Sequence, residues 1–190
     1  MAEEEFEVPS PHDHAVEEHG AHGGDSFASG IAVMTAVLAT LGAMFGYEGG
    51  ATQNEAALLK NDAAIVMTKA SDKWNQYQAD SNKQHLAELA VSLPGVDQEK
   101  YKADIERYKT EKEGVKKESE ALEAKVEELN KQSEEQMHHH HLWARATTAE
   151  QIAISLAAIA LLTRKKWLQF GAYAVAIFGT GVGIFAFLQG

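Results

Sequence analysis

The chain has 190 residues, a formal net charge of −11 and no cysteine. The missing thiols exclude disulfides, thiolate metal sites and cysteine nucleophiles. The acidic balance argues against nucleic acid as a partner, because phosphate binding needs a basic stripe. Residues 1–29 hold eight acidic side chains and no Lys or Arg. Within them, residues 1–25 are polar and interrupted by Pro and Gly, which predicts a disordered, acidic, His-bearing tail.

Residues 26–47 (SFASGIAVMTAVLATLGAMFGY) contain no charge over 22 positions. Around 20 apolar residues suffice for a helix to cross the roughly 30 Å hydrocarbon core of a bilayer. The acidic leader and the lack of an A-x-A-like site predict a retained anchor rather than a cleaved signal. This is transmembrane helix 1. Gly42 and Gly46 form a GxxxG, and Ala32, Ala36, Ala39 and Ala43 also fall at small-residue spacing. Such residues let helices approach closely in lipid.

Residues 52–92 form the first arm of a charged insert, with neither Gly nor Pro. Leu59, Ala63, Val66, Ala70, Trp74, Tyr77, Ser81 and His85 recur at steps of three and four, one stripe of a helix. Pro94 and Gly95 break it, and Asp97 is a suitable N-cap for the next helix. The second arm spans 97–142. Tyr101, Tyr108, Val115, Leu122 and Leu129 fall seven apart, with Ile105, Lys112, Ser119, Val126 and Ser133 between them. Five heptads predict a coiled-coil seam, leaky at Lys112, Ser119 and Ser133. The two arms are expected to fold back as an antiparallel hairpin roughly 60 Å long.

The apolar stretch at 143–163 is read as transmembrane helix 2, with Glu150 near one end, where a carboxylate can snorkel or stay hydrated. Trp143 and Trp167 are expected at opposite interfaces as belt residues. Residues 167–188 form transmembrane helix 3, which carries Gly179-x-x-x-Gly183. The fold class is therefore all-α: three transmembrane helices with a long antiparallel coiled-coil hairpin inserted between the first and second. The short basic turn Arg164-Lys165-Lys166 favours a cytoplasmic side by the positive-inside rule. That orientation puts the N-terminus in the cytoplasm and the hairpin in the periplasm.

ASDKWNQYQADSNKQHL (70–86), RYKTEK (107–112) and LLTRKKWL (161–168) resemble an uncharacterised, domain-of-unknown-function family of small bacterial inner-membrane proteins. The resemblance covers nearly the whole chain, and its most specific part is Ser71-Asp72-x-Trp74-x-x-Tyr77-Gln78-Ala79-x-Ser81. It implies this same architecture and brings no activity, cofactor or catalytic residue. A Lys usually precedes that last serine in the family, where this chain has Asp80.

Histidine is the composition outlier. His12 and His14 sit in the tail with His19 and His22, and His138, His139, His140 and His141 form a run before Trp143. Imidazole suits Zn, Cu or Ni. Four successive helical residues point around roughly 300°, so one chain offers a metal only the His138/His141 pair. No cofactor is expected, and metal handling through these clusters is the alternative. Trp74, Tyr77, Gln78 and Ser81 are either a recognition face or, in part, the stripe that packs on the other arm. Gly179-Thr-Gly-Val-Gly183 lacks the strand and Lys of a phosphate loop. Together these features predict a non-catalytic, membrane-anchored scaffold that self-associates and presents its hairpin to an unidentified protein partner. A small channel or transporter component, using Glu150, is a further alternative.

Overall fold

The computed structural model describes residues 26–189, and among them there is no strand. The chain forms three helices: α1 (Ser26–Val91), α2 (Gln98–Thr163) and α3 (Lys166–Gln189). Each contains a stretch long and apolar enough to cross a membrane. The acidic tail, with His12 and His14, lies outside the described residues.

The break between α1 and α2 falls where Pro94 and Gly95 predict it. Ser92 closes α1 by donating from its hydroxyl to the Leu89 carbonyl at 2.7 Å. Gly95 takes a φ of +82°, a region costly for side chains that crowd the following carbonyl. Asp97 caps α2, its Oδ1 accepting the Lys100 N–H at 3.2 Å. Gly95→Val is therefore expected to lower stability by about 1–2 kcal/mol, read as a drop in Tm by circular dichroism in detergent. Arg164 and Lys165 make the tight connection to α3, with Arg164 at φ +54°.

The described chain divides into two compact units: residues 26–49 with 141–189, and residues 50–140. In the second unit, contacts between α1 and α2 run in opposite sequence directions. Ser133 donates to the Ala56 carbonyl at 2.8 Å, Lys60 reaches Asn130 at 2.7 Å, and Lys73 reaches Glu118 at 2.6 Å. Buried or half-buried positions on α2 follow Tyr101, Ile105, Tyr108, Lys112, Val115, Ser119, Leu122, Val126, Leu129 and Ser133, the stripe expected from the sequence. On α1 they follow Ala63, Val66, Ala70, Lys73, Tyr77, Asp80, Gln84 and Ala87. Beyond Tyr77 this departs from the predicted stripe. His85 points outward and meets Glu88 at 3.2 Å. The reason is periodicity: the contact repeats every 3.5 residues, and the predicted steps of four at Trp74, Ser81 and His85 drift off that line.

In the first unit, α1 contributes Ile31, Leu38 and Phe45, seven residues apart, and these pack on alanines of the other two helices. α2 presents Ala146, Ala149, Ala153, Ala157 and Ala160, and α3 presents Leu168, Ala172, Ala176 and Ala186. Small residues bring the backbones close, which supplies the van der Waals contact that holds helices together in lipid. Trp143 corrects one expectation. It is buried against Phe45, with ring centroids 5.6 Å apart, whereas Trp167 is exposed.

Candidate functional site

Glu150 is 0 % exposed within the first unit. It sits seven residues inside Trp143, or about 10 Å along the helix. Its alanine neighbours on α2 leave room for α1 and α3 to close over it. On α1, a Cβ built at Gly42 lies 3.6 Å from the Glu150 Cβ. On α3, a Cβ at Gly179 lies 3.0 Å from Glu150 Oε1 and 2.9 Å from the Ala149 Cβ. Gly179 thus lies against the carboxyl, and Gly42 against the base of the same side chain. Thr180 donates its hydroxyl to Glu150 Oε1 at 2.9 Å, and Oε2 has no hydrogen-bond partner. The sequence reading of Glu150 as a hydrated interfacial residue is corrected here: three helices enclose it. The available signal was Gly42 and Gly179 on the two other apolar runs, but nothing in their spacing says that they face an acid.

The second glycine of each motif also packs within the chain. A Cβ built at Gly46 lies 4.0 Å from Thr147 Cγ2, and one at Gly183 meets the Phe45 ring, 2.7 Å from Cε1 and Cε2. Ala32, Ala36, Ala39 and Ala43 remain exposed on α1.

Trp74 and Tyr77 are half-buried in the second unit. Their rings meet edge to face at 5.5 Å, and the Trp74 indole N–H donates to Glu123 at 2.7 Å. Ser81 is half-buried, while Asp72 and Gln78 are exposed. The four candidate residues therefore divide: Trp74, Tyr77 and Ser81 are half-buried, and Gln78 faces outward. The His138 and His139 rings lie 6.3 Å apart, edge to face. No group of three His, Asp or Glu that could hold a metal comes together among the described residues, His138 and His141 included.

A family model described as Domain of unknown function (DUF4337) matches residues 27–189, almost all of the described chain. The chain belongs to this family. No curated protein and no solved structure matches it. In this DUF4337 member, Asp80 is buried on the inner face of α1, and Lys83, one turn later, meets it at 2.9 Å. The hydrogen bond and the charge of Asp80 hold the Lys83 ammonium above its usual range. The same ammonium lies 5.7 Å from the Tyr108 ring centroid. Lys83→Met removes the cation and leaves the buried carboxylate without its hydrogen bond. A drop in Tm is expected, measured by thermal unfolding, with Asp80→Asn in the same background restoring part of it.

Proposed function

We propose that this chain is a membrane-anchored scaffold without catalytic activity, cofactor or resident metal. Three bilayer-spanning helices hold an antiparallel coiled-coil hairpin, and copies of the chain associate side by side. The carrying observation is an outward row on α1 in the second unit. Leu58, Ile65, Asp72, Ala79 and Leu86 fall seven apart and are all exposed, Leu58 by 61 % and Leu86 by 66 %. Four of these five heptad positions, all but Asp72, are apolar, and apolar residues at that spacing on the outside of a pair of helices are what a further helix covers. The exposed Ala32/Ala36/Ala39/Ala43 face offers the corresponding close contact within lipid.

The test is native mass spectrometry of the full chain in lipid nanodiscs. Wild-type oligomers that become monomers in Leu58→Glu/Ile65→Glu/Leu86→Glu, with helical content kept, support the reading. A monomeric wild type in both detergent and nanodiscs defeats it.

The reading places the protein in the bacterial inner membrane with Arg164-Lys165-Lys166 in the cytoplasm and the hairpin in the periplasm. Because the chain lacks cysteine, one exposed thiol reports the side. Gln78→Cys is expected to react with a membrane-impermeant maleimide in cells whose inner membrane is intact. Reaction only after that membrane is permeabilised reverses the orientation.

A further inference from the structure

The first unit encloses one acidic side chain whose surroundings contain no cation. Glu150 is fully buried, its Oε1 accepts from Thr180, and its Oε2 is unpartnered. The residues facing it are Gly42 on α1 and Gly179 and Thr180 on α3, none of them titratable. From Ser26 to Phe45, α1 has no ionisable side chain, and beyond it Tyr47 and Glu48 are exposed. The ionisable groups of α3 are Lys166 and Tyr173. Tyr173 lies two turns before Thr180, where Gln169 donates to its hydroxyl. On α2 the nearest charge is Arg145, which is exposed and five residues away.

We propose that Glu150 is a proton-binding site: the carboxyl enclosed against Gly179 and Thr180 carries an exchangeable proton. A buried carboxylate needs a counter-charge and several hydrogen bonds to offset lost hydration, and one hydroxyl does not provide them. A proton on Oε2 removes the charge without requiring any cation to enter. Gly179 makes the closure tight: a Cβ there would lie 3.0 Å from Oε1 and 2.9 Å from the Ala149 Cβ, whereas one at Gly42 would make only ordinary contact with the Glu150 Cβ at 3.6 Å. Release of the proton places a charge between the helices, so exchange requires α3 or α1 to move off the carboxyl. The proton site is thereby linked to the packing of this unit, a property that goes beyond scaffolding and does not depend on the oligomeric state.

Infrared difference spectroscopy tests this on the full chain in phosphatidylcholine vesicles, comparing wild type with Glu150→Gln. At neutral pH the wild type is expected to show a carboxylic-acid C=O band that Glu150→Gln lacks. The band should shift in D2O and give way to a carboxylate band as pH is raised. A difference spectrum with only the carboxylate band at neutral pH overturns the proposal. So does an acid band that neither shifts in D2O nor titrates, since that proton is not exchangeable. Glu150→Asp serves as a second variant if Glu150→Gln does not fold. Its acid band should persist with an altered midpoint, and its absence at neutral pH counts against the site.

Discussion

Gly179→Ala is expected to destabilise the first unit, whereas Gly42→Ala is expected to leave it unchanged or firmer. Both changes gain the same intrinsic term, since Ala is favoured over Gly in a helix by about 0.8–1.0 kcal/mol. They differ in what the new methyl meets. At Gly42 the nearest atom is the Glu150 Cβ at 3.6 Å, an ordinary contact. At Gly179 the methyl falls 2.9 Å from the Ala149 Cβ and 3.3 Å from the Ala146 carbonyl oxygen. Those atoms are fixed to the α2 backbone, so relief requires the helices to separate. Overpacking of this kind costs about 1–3 kcal/mol, and losing the alanine contacts along α2 adds to it. The net expectation is a loss of about 1–2 kcal/mol for Gly179→Ala and a larger loss for Gly179→Leu. Gly183→Ala meets the end of the Phe45 ring, a side chain that can turn where the α2 backbone cannot, and should fall between Gly42→Ala and Gly179→Ala. Thermal unfolding in detergent orders the four variants. Equal effects at Gly42 and Gly179 would refute the packing described here.

The second large effect concerns Thr180. In Thr180→Val the Oε1 of Glu150 loses its Thr180 partner and joins Oε2 in being unpartnered while enclosed, and leaving a buried acceptor unsatisfied costs about 1–3 kcal/mol. The effect depends on the carboxyl, so it should vanish when the acid is replaced. In Glu150→Met, Thr180 is free to bond to a carbonyl of its own helix. Other threonines here already do so: Thr147 donates to the Trp143 carbonyl at 2.9 Å and Thr35 to Ile31 at 2.9 Å. Thr180→Val in the Glu150→Met background is therefore expected to be close to neutral. Unfolding of wild type, both single variants and the double variant isolates the coupling. A Thr180→Val penalty that persists without Glu150 would show that Thr180 acts through packing alone.

These two experiments bear on residues the sequence exposed to very different degrees. Gly42, Gly46, Gly179 and Gly183 stand out as motifs, yet spacing does not tell which of them faces a neighbour so closely that a methyl cannot enter. Glu150 stands out as an acid in an apolar run, but its distance from Trp143 along the chain suggests an edge rather than an enclosed position. Asp80 is polar and looks solvent-facing until Lys83 and the 3.5-residue repeat bring it to the inner face of the second unit.

Much of the local structure was determined by sequence alone. Charge-free runs long enough for a bilayer are set by hydropathy, the Pro94-Gly95 break by backbone geometry, and the Asp97 cap by its short side chain. The α2 stripe from Tyr101 to Ser133 follows from a seven-residue repeat whose apolar members contrast with charged neighbours. That contrast disappears at 26–47, 151–163 and 167–188, where outward-facing and helix-facing residues are almost equally apolar. Only the tertiary structure decided the rotation of each helix there: Trp143 inward and Trp167 outward, Ala32 and Ala43 outside, and Gly42 and Gly179 against Glu150. Residue size, not polarity, distinguishes those faces, and fit is a property of three helices together.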